Sequence, residues 1–149
     1  MVATSLLYSC SDSIDDHILV SKGLPIDGTQ EVPAKQVSGN GTLDVSYNSG
    51  LKTLYYTVKW NSLTGAPTTG FGLYGSAAKG YRAPSILQAF SSFPTAQAGT
   101  YSGTVFIDGT VLKEEDLLRG LYYINISTAA NPINAASPGE IRGQITGLH

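Results

Sequence analysis

"GTLDVSYNSGLKTLYYTVKW", residues 41–60, decides the fold class. Leu43, Val45 and Tyr47 alternate with Thr42, Asp44 and Ser46, so the apolar set falls on one face of an extended chain. "NSG" at 48–50 supplies a tight turn, after which Leu54, Tyr56, Val58 and Trp60 again share a face. A period of two on both sides of a turn predicts a β-hairpin with one buried face.

Outward from the hairpin the same grammar repeats. "FGLYG" (71–75), "SILQAF" (85–90), "YSGTVFI" (101–107), "GLYYINIS" (120–127) and "GEIRGQI" (139–145) read as further strands, divided by segments rich in Gly, Pro, Ser, Thr and Asn. Only "LKEEDLLRG" (112–120) has a helical cast, with acids early, Arg119 late and Gly120 as a stop. Roughly seven to nine short strands with one short helix predict an all-β sandwich or a small barrel. The loops at 61–70, 76–84, 91–100 and 128–138 are the places for a binding surface.

Length and charge narrow the function classes. The 149 residues fit a single domain, and 9 basic against 11 acidic residues leave no basic run to follow a phosphate backbone. Nucleic acid is therefore an unsuitable partner. No apolar stretch approaches the ~20 residues of a membrane-spanning helix. Cys10 is the only cysteine, which excludes an intrachain disulfide.

"LLYSCSDS" (6–13) sets Leu7 three residues before Cys10, with polar Ser11, Asp12 and Ser13 after it. This is similar to a bacterial lipobox, in which the cysteine is lipidated, although the nine preceding residues hold no Lys or Arg and are short for a signal. The reading that follows is a remnant signal and polar tether over 1–23, a domain over 24–149, and a lipid-anchored, extracytoplasmic location in the outer membrane or periplasm. The alternative is a plain tail with a free thiol.

Conventional catalysis is poorly supplied. The two histidines are His17, in the expected tether, and the terminal His149, so neither a Ser-His-Asp arrangement nor an imidazole metal site has a scaffold to stand on. Glu114 and Glu115 read as the solvated face of the short helix. Within "AAKGYRAPS" (77–85), Lys79 and Arg82 flank Tyr81 and could dock a glycan or carboxylate, with exposed solubilising cations as the plainer reading.

In order along the chain, "LPIDGTQEVP" (24–33), "GTLDVSYN" (41–48), "LYYTVKWNSLTG" (54–65), "GLYYINIST" (120–128) and "PGEIRGQI" (138–145) resemble the CHRD domain, first described in chordin. The resemblance runs from Leu24 to Ile145. It implies an extracytoplasmic Greek-key sandwich similar to immunoglobulin or copper/zinc superoxide dismutase domains, with no enzymatic activity established for the family. Many bacterial members carry "HIHG" and "NVHT", and the positions of those histidines fall here on Gly72, Tyr74 and Ser127. The resemblance thus implies no metal, no cofactor and no dismutase-like chemistry in this chain.

Three functional expectations follow. The first is a lipid-anchored envelope module that binds a protein or glycan through a loop surface near Tyr74, Lys79, Tyr81 and Arg82. The second is a structural spacer, and the third an enzyme with Glu31 and Glu140 side by side in an open cleft. Arg142 bears on that choice: it is expected to hold Glu31, Glu140 or nearby carbonyls in a polar clasp that brings "GTQEVP" beside "GEIRGQI", with Ile141 and Ile145 packed inward.

Overall fold

The computed structural model describes residues 17–149. Eight strands run in order β1 (Ile18–Asp27), β2 (Asn40–Asn48), β3 (Thr53–Asn61), β4 (Gly72–Tyr74), β5 (Ile86–Ala89), β6 (Gly99–Phe106), β7 (Tyr123–Ile126) and β8 (Ile141–Gln144). A 3-10 turn at Gly28–Gln30 follows β1, and the single α-helix, α1, spans Glu114–Leu118.

The predicted hairpin is β2–β3, in unbroken antiparallel register from Asn40↔Asn61 to Asn48↔Thr53. All pairings are antiparallel, and the strand order is β5-β4-β7-β8-β1-β2-β3-β6. One pair, Asp27↔Arg142, joins β1 to β8, and at that corner the sheet folds into two four-stranded layers. The far edges then approach each other: Phe90, just after β5, stacks on Tyr56 of β3 at 4.6 Å and lies 5.5 Å from Tyr101 of β6. The sheet is nearly closed, as an all-β sandwich requires to bury two inner faces at once. Connections β3–β4, β5–β6 and β6–β7 cross between the layers.

Between the layers sits the main core. Leu43, Val45 and Tyr47 from β2 and Leu54, Tyr56, Val58 and Trp60 from β3 are all buried in it, facing Leu73, Ile124, Ile126, Ile141 and Ile145 of the other layer. Gly143 is small because β8 approaches β1 there: a Cβ would lie 2.7 Å from Ile26 Cγ1.

One expectation needs correction. The tether does not extend to residue 23, because β1 begins at Ile18 and pairs with β2 from Ile18↔Asn48 onward. A register shift between Ser21 and Leu24, with Gly23 at φ +66, breaks the alternation that would have identified the strand. Residues 139–145 are buried, the polar side of β8 included. Cys10 and residues 11–16 of the expected tether lie outside the described residues.

Candidate functional site

On the β4-β7-β8 layer, strand alternation sends Leu73, Ile124 and Ile141 into the main core and leaves Tyr74, Tyr123, Asn125, Arg142 and Gln144 on the opposite side. Register aligns them in two rows, Tyr74↔Tyr123↔Gln144 and Gly72↔Asn125↔Arg142. Loops cover this side. Ala77 and Ala83 of the loop after β4 pack on Tyr74 and Tyr123, forming a second, smaller core.

Arg142 is the centre of that layer and is 1% exposed. Its Nη1 donates to Tyr81 O at 2.6 Å, and its Nη2 donates to Ala78 O at 3.2 Å and to Gln144 Oε1 at 2.5 Å. Its guanidinium carbon lies 3.6 Å from the centroid of Tyr123, whose other neighbour in the stack is Tyr74 at 5.5 Å. A planar cation over an aromatic face accounts for the choice of Arg at this position. Burial holds the guanidinium below its ordinary pKa, against the opposing effect of Tyr123 and Glu31.

Of the partners expected for the clasp, the structure has the backbone carbonyls and neither carboxylate. "GTQEVP" and "GEIRGQI" do lie side by side, with Gln144 N donating to Gln30 Oε1 at 3.2 Å. Arg142 holds backbone carbonyls of the 78–81 loop, whereas the ion pairs among the described residues are Lys52–Glu114 and Arg119–Glu115. The reason is the covering loop, which offers carbonyls at close range from a distant part of the chain. Arg142 therefore pins a loop to a sheet.

Each carboxylate has its own donors. Glu31, 3% exposed, accepts from Asn125 Nδ2 at 2.9 and 3.1 Å, and Asn125 Nδ2 also reaches Pro138 O. Burial pushes the Glu31 carboxyl up to about 8, against the lowering effects of Asn125, Arg142, Lys35 and Arg82. Two buried atoms nearby, Asn125 Oδ1 and Arg142 Nε, have no hydrogen-bond partner. Glu140, fully buried, accepts from Thr64 N (2.8 Å), Thr64 Oγ1 (2.5 Å), Thr128 Oγ1 (2.6 Å) and Asn131 Nδ2 (3.3 Å), so it ties the loop after β3 to the turn after β7. The two acids are not side by side in an open cleft. Glu140→Gln replaces one of these acceptors with a donor amide facing N–H or O–H groups, and a loss of about 1–3 kcal/mol in urea unfolding is expected.

Of the four residues expected at a binding surface, two meet. Tyr74 and Arg82 line a groove of about 720 Å3 together with Thr69, Tyr123, Ile133 and Asn134. Arg82 spans its wall, donating through Nη2 to Asn134 O and, at 3.0 Å, to Ser137 O. Lys35 Nζ fastens the same loop through Asn131 Oδ1 and Ser137 Oγ at 2.8 and 2.9 Å. Lys79 lies instead on a separate depression beside Asp27 and Gln30, and the Tyr81 side chain is 70% exposed.

The three positions where histidines were compared also converge. Tyr74 OH donates to Gly70 O at 2.8 Å, and a Cβ on Gly70 would lie 2.3 Å from Ser127 Oγ, while Gly72 pairs beside them with Asn125. Their present occupants are a glycine, a phenol and a hydroxyl bonded to Thr68 Oγ1. Sequence reasoning gave no role to Asn125 or Gln144, although alternation places both on the face of Tyr123 and Arg142.

Neither a curated protein nor a solved structure matches the chain. The family model described as the CHRD domain matches residues 24–145, which takes in the hairpin, Glu31, the Tyr74–Tyr123–Arg142 stack and all of β8. The chain belongs to the CHRD domain family.

Proposed function

We propose that this CHRD domain is a non-enzymatic binding module of the cell exterior, lipid-anchored through Cys10 at the envelope, that takes a glycan in the groove lined by Tyr74 and Arg82. One observation carries the reading: a groove of about 720 Å3 whose aromatic floor is braced from behind by Arg142 and whose wall carries a second guanidinium. The floor rings are buried, Tyr74 5% and Tyr123 2% exposed, so they fix the groove's shape while the Arg82 guanidinium and the loop carbonyls offer a saccharide fixed hydrogen-bonding groups without prior rearrangement. The buried placement of Glu31 and Glu140 supports the non-enzymatic side, because neither carboxyl is presented to a solvent cleft.

A glycan array probed with the full chain tests this. Binding to a defined saccharide class, weakened by about tenfold or more in Arg82→Ala while the melting temperature holds, is the expected result. Binding to no saccharide, together with capture of one envelope protein through the same groove, would replace the glycan with a protein partner. Anchoring is read separately, by radiolabelled palmitate incorporation that Cys10→Ser abolishes.

A further inference from the structure

Among the described residues, the exposed large hydrophobics other than Tyr81, which lies on the loop over Arg142, gather at one end of the sandwich. Ile18, Leu51, Phe106, Val111 and Leu118 are each between 48% and 63% exposed. Ile18 opens β1 opposite Asn48, and Phe106 closes β6 opposite Thr53, so the two lie in one cross-strand row on the outer face of their layer. The turn between Asn48 and Thr53 carries Leu51 above the middle of that row. Val111 stands at the tip of the next loop, which Asp108 Oδ1 fixes by accepting from the N–H groups of Thr110, Val111 and Leu112 at 2.8 to 3.0 Å. Lys52 Nζ pairs with Glu114 Oε2 at 2.9 Å and brings α1, with Leu118, to the same end. Tyr55, 41% exposed, sits two residues further along β3, about 7 Å back from the row.

We propose that this end is a bilayer-docking face, on which the apolar tips enter the acyl boundary and the Tyr55 ring lies at headgroup depth. The proposal rests on the lipid-anchor reading above. Chain length selects the occupant: an acylated Cys10 leaves about 28 Å of fully extended chain before Ile18, so the anchor holds this end, and not the opposite one, near the membrane. Protruding apolar side chains on fixed turns, with an amphipathic aromatic behind them, suit an interface between hydrocarbon and headgroups. Charges here largely cancel, Lys52, Lys113 and Arg119 standing against Asp108, Glu114, Glu115 and Asp116. Docking is therefore apolar and independent of anionic lipid.

The test couples the Cys10 thiol of the full chain to a maleimide-bearing lipid in phosphatidylcholine vesicles containing brominated lipid. Coupling is chemical, so the result does not depend on whether cells acylate Cys10. Trp emission is compared in Phe106→Trp and in Asn61→Trp, at the opposite end of β3 and about 26 Å away. At least twofold stronger bromine quenching in Phe106→Trp, reduced by Leu51→Asp with Val111→Asp, is expected. Equal quenching at both positions would overturn the proposal. So would shielding of Phe106→Trp by dimerisation in sedimentation without vesicles, since a second copy would then cover the face.

Discussion

Arg142→Ala is expected to lose about 3–5 kcal/mol of unfolding free energy. The side chain is 1% exposed, and its removal leaves Tyr81 O, Ala78 O and Gln144 Oε1 buried without their donor. Each orphaned acceptor costs about 1–3 kcal/mol, and the lost cation–π contact with Tyr123 adds about 2. The sum overshoots, because the variant also gains about 2–4 kcal/mol by no longer burying a charge. Arg142→Met, which restores volume but no hydrogen bond, should fall between wild type and Ala. Arg142→Lys keeps the charge but cannot span two carbonyls and a ring face, so it should lose about 2 kcal/mol. Urea midpoints at constant m-value measure all three. Unchanged stability in the Ala variant combined with lost glycan binding would recast Arg142 as a recognition residue.

How far the sequence spoke depends on which interactions were local. The β2–β3 hairpin was legible because its whole signal, a two-residue period across a tight turn, lies within 20 residues, and every inward position from Leu43 to Trp60 is buried as the pattern demands. In β8 the period was equally clear, but its meaning depended on a partner 61 residues away. Alternation separates Ile141 from Arg142; it cannot say that the 78–81 loop will roof the polar side and turn a solvent face into a second buried layer. Carboxylate and guanidinium are natural partners in one dimension, so Glu31 and Arg142 were matched on charge. In three dimensions Asn125 stands nearer to Glu31 and the loop carbonyls nearer to Arg142. Ile18–Lys22 escaped notice for another reason: the bulge before Leu24 shifts the period, so a paired strand read as a polar tether.

Glu31 gives this domain an unusual dependence of stability on pH. Its carboxyl, ordinarily near 4.5, titrates at about 8 in the folded chain because burial disfavours the anion more than Asn125, Arg142, Lys35 and Arg82 favour it. Between those two values the folded state holds a proton that the unfolded chain has released. Stability from this group is therefore fully present below about pH 4.5, declines as pH rises through the window, and is gone above about 8. At roughly 1.4 kcal/mol per pH unit, the decline approaches 3–5 kcal/mol across the whole window. The buried surroundings fit a neutral acid, since Arg142 satisfies its charge on carbonyls and the Tyr123 ring and is not among the ion pairs of the described residues. Glu31→Gln holds the shape and the neutral state at every pH, so it should flatten the profile and exceed wild type in stability at pH 8.5 while differing little at pH 5. Urea unfolding at half-unit pH steps decides the matter. Parallel profiles for the two proteins would show that Glu31 is ionised in the fold, and the electrostatic balance at the Arg142 layer would then have to be an ion pair held at longer range.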